Sequence, residues 1–183
     1  KNTPFDLEYR LGKHLGRGKF AAVRIGIPTA PGGEEVAVKI MNPRRRSSVA
    51  EREDLLRSIE AERALVGELD HPNLLRLRAV FEKPKQVLLV MDLASGGELF
   101  AHLVQRRNMT EEDCAAVTRG MCSGLEYLHA KNIAHRDIKP ENVMFSRPPD
   151  PSKSLPPVKL CDFGFARKLP AEGEGKMMTL CGT

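Results

Sequence analysis

The hydrophobic period of this chain changes near Ser48, and a fold with a single period throughout cannot hold it. Before that point apolar residues come in short runs, at 11–15, 23–27 and 36–41, broken by Gly- and Pro-rich turns such as 28–33. Those are strand signals. From 48 to 69 the spacing turns helical, with Leu55, Ile59, Val66 and Leu69 at offsets of 0, 4, 11 and 14. Strand-like runs return at 75–81 and 86–92. A helix is then expected from Thr110, which with Asp113 resembles a capping box, to about Lys131. Its buried face is read as Cys114, Val117, Met121, Leu125 and Leu128. Short strands at 143–145 and 158–161 flank 146–157, a stretch with five prolines that reads as an exposed hairpin insertion. Strands first and helices later predict an α+β chain with two unlike lobes.

Composition excludes several classes. The 183 residues are 41% hydrophobic and 29% charged, which is ordinary for a globular domain and unlike a disordered tail. The longest apolar run, 87–91, falls far short of the ~20 residues of a membrane span. Residues 1–4 open no apolar signal region, and the first residue is not Met, so a piece of a longer protein is expected. Lys+Arg exceed Asp+Glu by 29 to 24, but much of that excess lies in runs such as Arg44-Arg45-Arg46. With 5% aromatics and no Trp there is no base-stacking platform, and nucleic acid is not an expected partner. Cys114, Cys122, Cys161 and Cys181 form no CxxC pair, which points to reduced thiols in a cytoplasmic or nuclear protein.

Four motifs carry chemistry. Gly16-Arg17-Gly18-Lys19-Phe20-Ala21-Ala22-Val23 has glycines that let backbone N–H groups approach a phosphate. The run from Val23 to Ile27 alternates as a strand and does not open a helix. A flap between antiparallel strands is therefore expected, not a dinucleotide-binding turn. Lys39 closes the apolar run Val36-Ala37-Val38, and alone it reads as an ordinary edge lysine. Glu62, at offset 7 on the apolar helix face, needs a cation, because an unpaired buried charge is costly. Each supplies what the other lacks. His135-Arg136-Asp137-Ile138-Lys139-Pro140-Glu141-Asn142 puts a carboxylate, an ammonium and an amide into one loop. That set suits a base for a hydroxyl, a cation for a phosphate and an oxygen ligand for a metal. Asp162-Phe163-Gly164 adds a second carboxylate after a strand.

In this order and spacing the motifs resemble the eukaryotic protein kinases, and the resemblance runs from Phe5 to Thr183. Lys139, two residues after Asp137, is similar to the serine/threonine class. The stretch from Asp92 through Gly96, Gly97 and Glu98 to Phe100, and the 146–157 insertion, resemble the calcium/calmodulin-dependent kinase group. Residues 158–167 look most like protein kinase D.

The resemblance implies a bilobal fold: an antiparallel-sheet N-lobe with one regulatory helix over 5–93, then the hinge end and first part of a helical C-lobe over 94–183. It implies ATP and Mg²⁺ as cofactors. Backbone amides of Gly16 to Val23 would cover the phosphates, and Lys39, held by Glu62, would meet them. Asp162 and Asn142 would hold magnesium. Asp137 would take or orient the substrate hydroxyl proton, and Lys139 would offset charge on the transferred group. Val23, Ala37 and Met144 would enclose the adenine, with its edge on the backbone of Asp92 and Ala94 and with Met91 as gatekeeper. Glu98 and Glu141 would receive basic residues of a Ser/Thr peptide, or are two solvated surface carboxylates. Thr179 matches an activation-loop phosphosite that an upstream kinase would modify, its phosphate pairing with Arg136 and Arg167. Thr183 matches a threonine that contacts the catalytic acid and lysine. Ala21 replaces a family glycine and should stiffen the flap. The chain stops before the APE segment, so the isolated piece is expected to turn over little, and the alternative is an inert nucleotide-binding or scaffolding module. Cys161 is read as a small apolar filler, with an electrophile-reactive thiol as the other reading.

Overall fold

In a computed structural model the structure describes residues 4–17, 21–43, 53, 59–60, 63–65, 67–106 and 109–169. The described residues fall into two compact units, one drawn from 1–63 with 76–93 and the other from 64–75 with 94–183.

The first unit is a five-stranded antiparallel sheet of order β1-β2-β3-β5-β4, comprising β1 (Tyr9–Arg17), β2 (Ala21–Pro28), β3 (Val36–Met41), β4 (Leu77–Lys83) and β5 (Gln86–Asp92). Val38 pairs with Arg24 on one side and Val90 on the other. Successive side chains alternate between faces, so register fixes what each face carries. Val36 and Val38 of β3 share one face with Leu88 and Val90 of β5. Phe5, on the short helix α1 (Phe5–Glu8), completes that cluster at 1% exposure. Its ring stacks on Tyr9 at 5.6 Å and meets the Phe81 edge at 5.5 Å. Burying such a side chain contributes about 1.5–3 kcal/mol. Above it Lys83 pairs with Asp6 at 2.8 Å and lies 5.1 Å from the Phe5 ring centre.

The opposite face carries Met41 and Leu89 packed with Ile59, with Ala21, Leu77, Val80 and Val87 beside them. Residues 59–60 and 63–65 are helical, as the spacing predicts. Ile59 and Leu69 are buried, and so is Leu65, which the expected stripe did not include. Leu55, Glu62 and Val66 lie outside the described residues.

The second unit contains α2 (Leu99–Arg106), α3 (Glu111–Ala130), the strand pairs β6 (Ile133–Ala134) with β9 (Arg167–Lys168) and β7 (Val143–Phe145) with β8 (Val158–Leu160), and two 3₁₀ turns at Pro140–Asn142 and Phe163–Phe165. Thr110 caps α3, its hydroxyl accepting from the Asp113 N–H at 3.1 Å. Glu111, Glu112 and Asp113 set negative charge against the positive end of the helix. The helix stops where Asn132 enters the left-handed region at φ 56° and donates to the His129 carbonyl at 2.9 Å.

The buried face of α3 differs from the expected stripe. Val117, Gly124 and Leu128 are buried, Met121 and Leu125 are half-buried, and Cys114 is exposed. Two glycines turn the helix. A Cβ on Gly120 would come within 2.8 Å of Val158, and one on Gly124 within 3.1 Å of Leu74. The helix backbone therefore lies directly on β8 and on the 73–74 segment, whose Leu74 bridges to Leu160. Glycines carry no apolar signal, so a hydrophobic pattern cannot place this contact. The 146–157 segment does connect two antiparallel strands, as the proline-rich stretch predicts.

Candidate active site

The loop between β6 and β9 is closed at its base by the pairs Ile133–Lys168 and Ala134–Arg167. Within it Arg136 adopts the left-handed region, at φ 67°. Both of its neighbours are buried, His135 at 2% exposure and Asp137 at 5%. His135 has a carbonyl, that of Cys161, 3.1 Å from Nε2, and the Asp137 N–H lies 3.4 Å from Nδ1. Its ring sits 5.1 Å from that of Phe163, itself buried. Burial lowers the His135 pKa, and the Cys161 carbonyl and the charges of Asp162 and Asp137 oppose that only in part.

The Asp137 carboxylate is held from two sides. Asn142 Nδ2 donates to Oδ2 at 2.8 Å and to the Asp137 carbonyl at 2.9 Å, and Lys139 Nζ lies 3.1 Å from the same Oδ2. A carboxylate this shielded requires charge-assisted donors, and here it has an ammonium and an amide. Pro140 opens the 3₁₀ turn that carries Asn142, where its fixed φ and missing N–H fit a first position. The turn is tied to the next segment by the Cys161 N–H, which donates to the Asn142 carbonyl at 3.0 Å.

Asp162 comes next, left-handed at φ 59° and leading into the Phe163–Phe165 turn. A Cβ on Gly164 would stand 3.4 Å from Asp162 Oδ1, at ordinary van der Waals contact. With both Asn142 Nδ2 bonds directed at Asp137, Oδ1 is the atom of that amide left to act as a ligand. Among the described residues there is no cluster of three or more His, Cys, Asp or Glu arranged around a common ion. One carboxylate and one amide oxygen fit magnesium, which keeps most of its shell for water and phosphate oxygens. Arg136 Nε donates to the Phe165 carbonyl at 2.7 Å, and Arg167 donates to the Ala166 carbonyl at 2.6 Å and the Gly164 carbonyl at 3.4 Å. Two guanidinium groups thus gather on one turn.

Other candidates of the second unit are dispersed around this centre. Glu98 and Glu141 are exposed, and Met144 is half-buried and bridged through its backbone to Glu98. Ala94 is buried. An open depression of about 320 Å³ is lined by Glu98, His102, Gln105 and Pro149 and includes none of Asp137, Asn142 or Asp162.

In the first unit, register places Val23, Ala37, Lys39 and Met91 on one sheet face, with Val23 opposite Lys39 and Ala37 opposite Met91. Gly16 and Arg17 are exposed and pair with Val23 and Ala22, and no atom of the described residues lies within 4 Å of a Cβ on Gly16. Asp92 ends β5, its N–H donating to the Arg76 carbonyl at 3.0 Å and its carboxylate accepting from Arg78 at 2.7 Å. Gly18, Lys19, Phe20, Glu62, Thr179 and Thr183 lie outside the described residues, so the Lys39–Glu62 pair and the phosphosite are not placed.

Sequence reasoning missed Arg78 and the group around His71. His71 stacks on Tyr127 at 5.0 Å, and its Nδ1 accepts from the Asn73 N–H at 3.2 Å. The Asn73 side chain reaches the Val158 carbonyl at 2.9 Å. Apart from the local His71–Asn73 contact, these partners lie 14 to 85 residues apart and leave no trace in local spacing.

Residues 9–183 match the protein kinase domain family. The chain is 37% identical over 177 residues to the probable serine/threonine-protein kinase fhkC of Dictyostelium discoideum, covering 96% of this chain and 28% of that protein. It is 38% identical over 162 residues to death-associated protein kinase 2 of Mus musculus, covering 88% and 42%. It is 38% identical over 176 residues to the human serine/threonine-protein kinase DCLK2, covering 96% and 21%. The chain thus spans less than half the length of each of these relatives. Among the described residues no helix is long and apolar enough to cross a membrane.

Proposed function

The chain belongs to the protein kinase domain family, and from that premise we propose that it is the phosphoryl-transfer part of a serine/threonine kinase. The observation that carries this reading is the Asp137 carboxylate, almost fully shielded yet held by Asn142 at 2.8 Å and Lys139 at 3.1 Å. Any buried carboxylate needs such donors; what favours a catalytic role is that both come from the same six-residue loop, 137–142, as an ammonium and an amide. ATP with magnesium, when bound, supplies the transferred group and neutralises its charge. Asp137 orients the attacking hydroxyl and receives its proton, and Asn142 fixes the carboxylate in one rotamer. Lys139 lies close enough to Asp137 to serve both the acid and the charge that develops on the transferred group. Asp162 and Asn142 would hold the metal through oxygen. Lys39, with Glu62 as its proposed partner, would meet the phosphates. Because the transition state is loose, catalysis rests on position and electrostatics.

The finer assignments extend the same reading. Exposed Glu98 and Glu141 suit a peptide with basic residues near its Ser or Thr. Arg136 and Arg167, gathered on the 164–166 carbonyls, suit a phosphate on Thr179 delivered by an upstream kinase. The calcium/calmodulin-dependent group, and within it a protein kinase D-like member, is supported by the 92–100 motif, the 146–157 insertion and the 158–167 stretch. The free thiols of Cys114, Cys122 and Cys161 suit a cytoplasmic or nuclear setting.

The test is Asp137→Ala in the full-length protein. Transfer to a basic Ser/Thr peptide falls at least about a hundred-fold, the usual contribution of a positioned base, while ATP affinity by calorimetry stays within a factor of about two. Unchanged turnover refutes the assignment.

A further inference from the structure

β4 and β5 pair Leu77 with Met91 but Ala79 with Val90, so Arg78 is the extra residue of a β-bulge. Such a bulge breaks the alternation of a strand and re-aims one side chain. Here it sends a guanidinium to the sheet end. Arg78 Nε donates to Asp92 Oδ1 at 2.7 Å, and Nη2 donates to Glu34 Oε2 at 3.1 Å. Asp92 is the last residue of β5, opposite Val36, the first of β3, and Glu34 stands two residues before Val36. One side chain therefore ties the bulge of β4 to the exit of β5 and the entry of β3, all within the first unit.

The two contacts are unequal. The Asp92 side chain is 20% exposed and that of Glu34 80%, so solvent screens the second far more. The hydrogen bond to Asp92 is also the main reason the guanidinium is still harder to deprotonate than usual. An exposed ion pair adds little to global stability. Its effect here is local, because the ladder between β3 and β5 ends at Asp92 and no longer fixes the peptide beyond it.

We propose that Arg78 is a positioning residue for adenine recognition, aimed by the bulge so that the main chain leaving β5 at Asp92 meets the purine edge in one orientation. The inference rests on the kinase reading above and names a determinant outside the motifs that carry it. Arg78 makes no contact with the nucleotide in this scheme. It acts through Asp92, and Glu34 steadies the guanidinium from the β2–β3 turn.

The experiment measures adenosine and inorganic tripolyphosphate binding to the full-length protein by calorimetry, alongside ATP kinetics. Arg78→Ala weakens adenosine by about 3- to 5-fold, the scale of one partly screened ion pair, and leaves tripolyphosphate unchanged. KM for ATP rises by the same factor and kcat holds. Arg78→Lys, able to reach one carboxylate but not to bridge both as a fork, restores part of the loss. Asp92→Asn reproduces the effect of Arg78→Ala, and the double variant adds nothing further. Equal weakening of adenosine and tripolyphosphate, or a fall in kcat alone, marks a merely structural role and overturns the proposal. Wild-type binding of adenosine that Arg78→Ala leaves intact overturns it while sparing the kinase reading. Wild-type protein that binds neither probe overturns both.

Discussion

His135 offers a prediction whose sign and ceiling both come from the geometry. The Cys161 carbonyl near Nε2 can only accept, and the Asp137 N–H near Nδ1 can only donate. The ring is therefore neutral, with its proton on Nε2. A second proton would set an N–H on Nδ1 against the N–H of Asp137 in a site 2% exposed. Burial, the largest influence, holds the native pKa below the ordinary 6.5, despite the nearby charges of Asp162 and Asp137. Below about pH 6.5 the unfolded chain then takes up a proton that the native chain refuses. Stability from this group is complete above 6.5, falls with pH from there, and stops falling once the native pKa is passed. One proton limits the slope to about 1.4 kcal/mol per pH unit. The perturbation is His135→Phe, which keeps a ring beside Phe163 and removes the titration. It also leaves the Cys161 carbonyl and the Asp137 N–H without this partner, a pH-independent cost of about 1–3 kcal/mol. Urea unfolding from pH 8 to pH 5 reads both effects: an offset between the two proteins at pH 8, and a gap that narrows as pH falls below 6.5. Parallel curves, or an imidazole NMR pattern with the proton on Nδ1, would refute the reasoning.

Three further substitutions probe how glycines set the backbone of the second unit. Gly96 donates to the Phe145 carbonyl at 3.1 Å, and a Cβ there would collide with the Arg147 carbonyl and lie 2.5 Å from the Phe145 Cβ. Gly96→Ala should cost about 2–4 kcal/mol, combining overpacking with a strained hydrogen bond. Its neighbour Gly97 has φ 78° and, among the described residues, no atom within 4 Å of a Cβ, so Gly97→Ala should cost only the left-handed penalty of about 1–2 kcal/mol. Thermal melts should rank them in that order, and the reverse order would mean conformation, not contact, governs this turn. On α3, Gly120→Ala gains about 1 kcal/mol of helix propensity. Its Cβ would nonetheless meet Val158 at 2.8 Å and the Asn73 amide at 3.0 Å, disturbing the Asn73 bond to the Val158 carbonyl. A net loss of about 1 kcal/mol is expected, and a raised melting temperature would show that α3 can shift freely on β8.

Local pattern encodes the part of the fold that is legible in the sequence. β3 and β5 are legible at their observed bounds because each is a short, mainly apolar run, broken in β3 by Lys39 and bounded in β5 by Gln86 and Asp92, and α3 because a cap and a 3.6-residue period coincide. α1 is not: four residues hold too few apolar positions to show a period, and Phe5 matters through residues distant in sequence, the sheet cluster and the rings of Tyr9 and Phe81. The meeting of Asp137, Lys139 and Asn142 is legible because six residues of loop leave them little room to part. The seat of His135 against Cys161 and Phe163 is not, since Cys161 lies 26 positions along the chain and two strands intervene. Arg78 is hidden for a different reason. Its role depends on a bulge, and a bulge is a property of two strands paired together, invisible in either alone.

The placement of strain in the second unit depends on those long-range bonds. Arg136 and Asp162 are both left-handed without being glycine, at roughly 1–3 kcal/mol each. Neither would stay so in an isolated loop. Beyond the β6–β9 pairing, these hydrogen bonds among the described residues join the two segments: Arg136 Nε to the Phe165 carbonyl, His135 Nε2 to the Cys161 carbonyl, the Cys161 N–H to the Asn142 carbonyl, and the Leu169 N–H to the Asn132 carbonyl. At about 0.5–1.5 kcal/mol apiece they match that strain in size. Relaxing Arg136 would swing either His135 or Asp137 out of its buried seat, and relaxing Asp162 would displace the turn whose Phe165 carbonyl Arg136 holds. The two strained residues thus restrain each other through the bonds between them. The proposed catalytic acid and the proposed metal-binding acid are consequently fixed by one network, so a change that loosens either should loosen both.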